Sequence, residues 1–112
     1  MSCRADEQRL VSETLYFGTA KPGGTVEPAE WSRFLQDSVT PRFPEGLTVW
    51  QASGQWRGAD GTIVEEGSRV LTLVHADDAA NSRNVEEIAA EYKRRFKQEA
   101  VLRTREPVCV SF

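Results

Sequence analysis

Apolar side chains recur along the chain with two different periods, and the order of these periods predicts its secondary structure. Runs rich in β-branched and aromatic residues with alternating polarity predict strands. Runs in which apolar residues return every three or four positions predict helices. The predicted strands are residues 10–18, 47–57, 62–75 and 99–112, and the predicted helices are residues 28–39 and 81–96.

The helices are the most strongly patterned segments. Pro28 suits the first position of a helix, with Glu27 or Thr25 before it as cap candidates, and Thr40-Pro41 ends that helix because proline disfavours the α conformation in the residue before it. The apolar stripe of the first helix is Trp31, Phe34, Leu35 and Val39, and that of the second is Val85, Ile88, Ala89, Tyr92 and Phe96. Each stripe predicts one face packed against a sheet.

The segments between these elements carry turn signals. Residues 19–24, TAKPGG, predict a flexible connector, because proline and paired glycines break regular structure. The same residues lack the spacing of a phosphate-binding loop. Residues 58–61, GADG, predict a hairpin between the second and third strands. Pro107 interrupts the last strand and places it at a sheet edge.

The order β-α-β-β-α-β predicts the ferredoxin-like α+β fold, a four-stranded antiparallel sheet with two helices on one face. At 112 residues the chain is long enough for one domain, which we expect over residues 10–112 after an N-terminal tail of residues 1–9.

The other face of such a sheet has no helix over it, and the alternation of side chains leaves apolar residues on both faces. On the second strand, Trp50 and Trp56 lie on the same face. On the third strand, Val70 and Val74 lie on one face and His75 lies on the other. An apolar area on an uncovered face usually marks an interaction surface, so the pattern predicts a homodimer that pairs sheet to sheet.

Charge and hydropathy exclude several partners. The net charge of −3 argues against nucleic acid and anionic lipid. The third strand also has no aromatic residue on which an RNA base could stack. No run approaches the ~20 apolar residues of a membrane span. The first ten residues lack the apolar core of a signal peptide, so we expect either a cytoplasmic protein or one whose export signal was removed upstream, which would place it in the cell envelope or periplasm.

Several segments carry a family resemblance. LYFG at residues 15–18, TPRFPEGLTVWQASGQWR at 40–57, SRVLTLVH at 68–75, YKRRFKQEAVLR at 92–103 and the closing CVSF at 109–112 resemble a family of small bacterial proteins known only as a domain of unknown function. The segments occur in the same order and cover nearly the whole chain from Leu10. The resemblance implies no activity, and it implies export for many relatives, some with a lipoprotein-type N-terminus.

Three residues are candidates for catalysis. His75 could act as a general base, since a free imidazole group titrates near neutrality, although its place before Ala76-Asp77-Asp78 also suits a hydrogen-bonded turn residue. Arg57 and Tyr16 complete the candidate set for a small enzyme with a cavity between helices and sheet. No cofactor motif is present. One histidine and two distant cysteines give no metal motif.

A second group of residues could bind a ligand. Trp50 and Trp56, with Tyr16, could form an aromatic wall, although core or dimer packing is the commoner role of such rings. Arg57 could bind a carboxylate in two-pronged fashion, or simply lie in solvent.

The two cysteines could form a disulfide. In this fold the first and last strands are antiparallel neighbours, so Cys3, which precedes the first, could approach Cys109, which is near the end of the last. The alternatives are a free Cys109 packed as a small apolar residue and a Cys3 that carries lipid in exported relatives.

Two functions therefore remain. The first is a non-catalytic homodimer that binds a small ligand or a protein partner, and the absence of a convergent acid–base set in the sequence favours it. The second is a small cofactor-independent enzyme. A cavity into which His75 and Arg57 both point would favour the enzyme.

Overall fold

The computed structural model describes residues 2–112 and contains six strands and two helices. The strands are β1 Gln8–Gly18, β2 Ala20–Lys21, β3 Gly24–Thr25, β4 Thr48–Arg57, β5 Ile63–His75 and β6 Leu102–Val110, and the helices are α1 Pro28–Phe34 and α2 Ala79–Phe96. A π-helical turn, Leu35–Val39, extends α1. The α+β class predicted from the two hydrophobic periods is confirmed.

The four long strands form one antiparallel sheet in the order β4-β5-β1-β6. The predicted connector at residues 19–24 is instead a small hairpin, because β2 pairs with β3. Its turn contains Gly23 at φ 84°, a left-handed conformation that glycine adopts without strain. Strand β6 lies at a sheet edge, as Pro107 predicted, and β1 begins two residues before the predicted start.

The side chains of β1 and β5 that face the helices form the centre of the core. Leu15 lies opposite Leu71, and both are fully buried. Phe17 packs against rings from both helices, with ring centroids 5.3 Å from Trp31 and 4.6 Å from Tyr92. The predicted apolar stripes of both helices thus supply the core, and one sheet face is covered by them.

Capping fixes where α2 begins and ends. The carboxylate of Asp78, the N-cap residue, accepts a hydrogen bond from the backbone N–H of Asn81 at 2.7 Å. At the other end, Lys97 adopts the left-handed conformation with φ 57°.

Within α2, the buried hydroxyl of Tyr92 donates a hydrogen bond to the carbonyl of Gly18. Burial raises the pKa of this phenol, because the phenolate would lose its hydration.

The N-terminal segment is bonded to the last strand. Cys3 and Cys109 form a disulfide with a Cα–Cα distance of 5.4 Å. The register of the sheet explains the approach, since Arg9 at the start of β1 lies opposite Cys109. Within residues 2–112, no helix is long and apolar enough to cross a membrane.

Candidate functional site

A carboxylate is fully buried beneath the helices. Glu13 lies on the covered face of β1, two residues before Leu15, and its exposure to solvent is 0%. Its Oε2 lies 2.5 Å from Nε2 of His75, and its Oε1 accepts a hydrogen bond from Nε of Arg103 at 2.5 Å. Removing a carboxylate from water costs several kcal/mol unless it is paired and hydrogen-bonded. Both oxygens of Glu13 have such partners.

The two arginines come from the neighbouring edge strand. Arg103 and Arg105 are two residues apart on β6, so they share the helix-covered face with Glu13. Nη2 of Arg103 also donates to the hydroxyl of Ser82 at 3.3 Å. Nε of Arg105 lies 3.8 Å from Oε1 of Glu13, and its Nη2 donates to Asp77 at 2.8 Å. The arginines therefore connect the buried carboxylate to the surface.

The hydrogen bonds of His75 fix how many protons the pair holds. Nδ1 lies 2.7 Å from the carbonyl oxygen of Ala76, which only accepts, so Nδ1 carries a proton and donates it. The contact between Nε2 and Oε2 of Glu13 then contains one further proton, held by the imidazole or by the carboxyl group. Glu13 and His75 thus form a buried pair that shares a transferable proton.

A cleft opens above this pair at the N-terminus of α2, and we name it the α2 cleft. Its volume is about 420 Å³, within the range of small-molecule sites. The lining residues are Asp77, Asp78, Ala79, Ser82, Arg103 and Arg105. Arg105 is half exposed and Asp77 largely so, whereas Asp78 is committed to the helix cap. The α2 cleft thus offers two guanidinium groups, a hydroxyl and an exposed carboxylate.

His75 and Arg57 do not meet. His75 is the last residue of β5, while Arg57 lies opposite Ile63, the first residue of that strand. A strand of 13 residues spans about 40 Å at roughly 3.3 Å per residue. The two side chains therefore belong to opposite ends of the sheet and share no cavity.

The aromatic candidates do come together, on the uncovered face. Val70 of β5 lies between two aromatic residues: Tyr16 pairs with it from β1 and Trp50 pairs with it from β4. The two rings are exposed to a similar extent. Val70 itself is 1% exposed although no helix covers it. The flanking rings shield it from solvent. Trp56 lies further along the same face, close to Gly18.

The ring of Trp56 packs against two glycines, which have no side chain to fill that space. A Cβ added to Gly18 would lie 2.8 Å from Cη2 of Trp56, and one added to Gly54 would lie 3.7 Å from its Cζ3. The glycines let the indole lie close to the backbone of β1 and β4. Trp50, Trp56 and Tyr16 thus form an open aromatic surface with no enclosed pocket between them.

The histidine and the aspartates that follow it do not converge on a common point. The imidazole of His75 faces Glu13 and Ala76, Asp77 pairs with Arg105, and Asp78 caps α2. Among residues 2–112, no three histidine, cysteine or acidic side chains are grouped closely enough to hold a metal ion.

The candidate residues chosen from the sequence did not include Glu13, Arg103 or Arg105, although the alternation of side chains along the strands indicates that they face inward. Glu13 occupies the same parity as Val11, Leu15 and Phe17, so a charge stands in the row that forms the core. Arg103 and Arg105 repeat this on the last strand. A carboxylate and two guanidinium groups in inward-facing rows of strands that are neighbours in the predicted fold indicate a buried ion cluster.

Sequence comparison identifies the family. Residues 12–112 match the proteins of unknown function DUF3574, so the chain belongs to that family and the resemblance seen in its segments is confirmed. No curated protein matches the chain. Among solved structures it is similar to a phage SAM lyase in complex with S-methyl-5′-thioadenosine, with a TM-score of 0.68, 13% identity, and coverage of 100% of this chain and 95% of that one. The apo form of a phage SAM lyase matches with the same TM-score and coverage at 14% identity.

Proposed function

We propose that the chain is a ferredoxin-like, cofactor-independent enzyme that binds a small polar molecule in the α2 cleft. The strand order β4-β5-β1-β6 supports the ferredoxin-like assignment, since the first and third long strands are central. The observation that carries the functional proposal is the fully buried Glu13, held by His75 and Arg103 directly beneath a cleft of ligand size. A cleft of this size into which a few polar groups converge is the usual form of a small-molecule site.

Each group in the site has a distinct part. Arg105 and Ser82 contact the bound molecule. Asp77 is 72% exposed, so its ion pair with Arg105 opens readily and leaves the guanidinium group free to bind the molecule. Arg103 lies between cleft and carboxylate, so Glu13 acts as a positioning residue that fixes its guanidinium. His75 does not line the cleft either, and it orients Glu13 through the proton that the two side chains share.

The structural relatives suggest the probe molecules. A phage SAM lyase binds S-methyl-5′-thioadenosine, which makes this nucleoside and SAM itself the first compounds to test. Native mass spectrometry of the purified protein first reports any ligand that it carries. Calorimetry with S-methyl-5′-thioadenosine then measures binding, and chromatography with mass detection reports whether SAM is consumed.

Paired arginine variants locate the binding site. Arg105→Met should weaken binding at least about ten-fold, a loss of ~1.4 kcal/mol, because a charged hydrogen-bond donor of the α2 cleft is removed. Arg94→Met is the matched control, since Arg94 is exposed and pairs with Glu91 on α2. Equal binding by both variants would place the ligand elsewhere. Failure of both probes to bind, with no carried ligand, would contradict the proposal that the α2 cleft binds a small polar molecule.

The second candidate is a non-catalytic homodimer that pairs through the uncovered sheet face. It is favoured by the exposed apolar side chains of that face, which are Tyr16, Trp50, Trp56, Val74 and Leu102. Val74 is 47% exposed, so Val74→Glu places a charge there without disturbing the core. If this face is the interface, sedimentation should show a folded monomer for Val74→Glu and a dimer for the exposed control Lys93→Glu. A wild-type monomer at high micromolar concentration would refute it.

A further inference from the structure

The two edges of the main sheet differ in how well they are protected against pairing. Native proteins guard an exposed edge with charges and prolines. The sequence of β6, LRTREPVCV, contains Arg103, Arg105, Glu106 and Pro107. The sequence of β4, TVWQASGQWR, has no proline, and its only charge is Arg57 at the very end. Strand β4 is therefore an unguarded edge of ten residues.

The far half of β4 extends beyond the ladder that pairs β5 with β1, and Trp56 is its contact with the backbone of β1. Pairing of β1 with β5 ends at Gly18 and Ser68, whereas β4 and β5 remain paired from Ser53 and Gly67 to Arg57 and Ile63. This part of the hairpin is a two-stranded ribbon, and every residue of β4 except Gly54 is exposed. An isolated two-stranded ribbon is marginally stable in water, so a third strand would stabilise it.

We propose that a second copy of this chain adds to the β4 edge, so that the two β4 strands pair antiparallel about a two-fold axis at Ser53. In this register, Ser53 lies opposite its own copy, and Trp50 of each protomer lies opposite Trp56 of the other. Cross-strand aromatic pairs stabilise a sheet, and no two like charges face each other. An axis perpendicular to the sheet keeps both uncovered faces on one side, so the result is a continuous eight-stranded sheet.

The pairing is large enough for a stable interface. It overlaps residues 49–57 of both strands, a length of about 30 Å at ~3.4 Å per residue. The main-chain hydrogen bonds of such a ladder approach the number, roughly ten, found in a typical protein–protein interface. Contacts of the tryptophans, which carry much of the binding energy in many interfaces, add to them.

Substitution at the two-fold axis tests the register. Ser53→Lys and Ser53→Asp each place like charges directly opposite one another, so each variant alone should have a dimer Kd raised at least about ten-fold in analytical ultracentrifugation. Mixing the two variants pairs Lys with Asp and should restore dimerisation. Thr104→Lys is the matched control, because Thr104 is exposed at the other edge and should leave the dimer intact.

Several outcomes would overturn the proposal. They are a wild-type monomer at high micromolar concentration, a Ser53→Lys variant that dimerises like wild type, and a mixture that stays monomeric while circular dichroism shows both variants folded. Loss of the dimer in Val74→Glu but not in Ser53→Lys would assign the interface to the uncovered face instead. None of these results depends on ligand binding, so they leave the proposed enzyme site to its own tests.

Discussion

Oε2 of Glu13 lies 2.5 Å from Nε2 of His75, although the two residues are 62 positions apart in the chain. The antiparallel pairing of β1 with β5 brings them together, since Val11 lies opposite His75 and Glu13 is the next residue on the same face. The chain's one histidine is thus oriented by a carboxylate on one side and by a carbonyl on the other. Such two-sided fixation is typical of histidines that exchange protons.

Removing the charge of Glu13 should destabilise the fold. In Glu13→Gln one carboxylate oxygen becomes an NH2 donor, so only one of Arg103 and His75 keeps its acceptor, while the volume is unchanged. Breaking a buried pair costs roughly 3–5 kcal/mol, and we expect about 3 kcal/mol here because Arg103 reaches the cleft. Urea unfolding measures the loss, and Glu106→Gln on an exposed site of β6 is the control. Equal stability of the two variants would show that the cluster contributes little.

The disulfide should account for a large part of the stability. Cys3 and Cys109 are separated by 106 positions, and closing a loop of this size contributes up to ~4.7 kcal/mol in the chain-entropy model. We expect Cys109→Ala and the reduced wild type to show similar, lowered free energies of unfolding. Titration of thiols in the denatured, unreduced protein should find none. Two thiols per chain after purification under oxidising conditions would contradict the bond.

Stability should also fall in alkaline solution because of Tyr92. Burial raises the pKa of its phenol, so the folded protein keeps the proton when the unfolded chain loses it. The stabilising effect is complete below about pH 10 and is lost above it, by up to ~1.4 kcal/mol per pH unit. Tyr92→Phe should remove this slope at the cost of about 1 kcal/mol for the hydrogen bond to Gly18. Tyr16→Phe, at an exposed ring, is the control, and an unchanged slope in Tyr92→Phe would contradict the assignment.

A methyl group at Gly18 should displace Trp56. The added Cβ would lie 2.8 Å from the indole, so Gly18→Ala should shift tryptophan fluorescence and cost about 1–3 kcal/mol. Gly67→Ala is the matched control, because its Cβ would meet nothing closer than 3.5 Å. If the two variants have the same spectrum and stability, Trp56 does not rest on Gly18 in solution.

The α+β class could be predicted because its signals are local. The stripe of Tyr92 and Phe96 and the alternation around Leu71 each need only a few neighbouring residues to be recognised. The small hairpin at residues 20–25 could not, because it consists of two pairs of residues whose pairing depends on what surrounds them. Gly23, one of the two glycines that predicted a flexible connector, lies in its turn, and Gly24 begins β3.

The site was harder to predict because it depends on register. His75 was a candidate from its chemistry alone, but its partner Glu13 stands in another strand. Arg57 was likewise a candidate from its side-chain type, and only the pairing of Arg57 with Ile63 shows that it lies at the other end of β5. A charge in an inward-facing row was visible in the sequence, whereas the convergence of Glu13 and Arg103 on one point required the sheet.

The bond between Cys3 and Cys109 makes the backbone between them a closed covalent circle. A single cut anywhere inside that circle leaves one molecule with all its residues still connected. A protease that nicks the exposed turn at residues 58–61 would therefore release no fragment until the bond is reduced. The same closure means that the chain could be circularly permuted with new ends at this turn. The disulfide would then connect the old ends, in place of the peptide linker that a permutation usually needs.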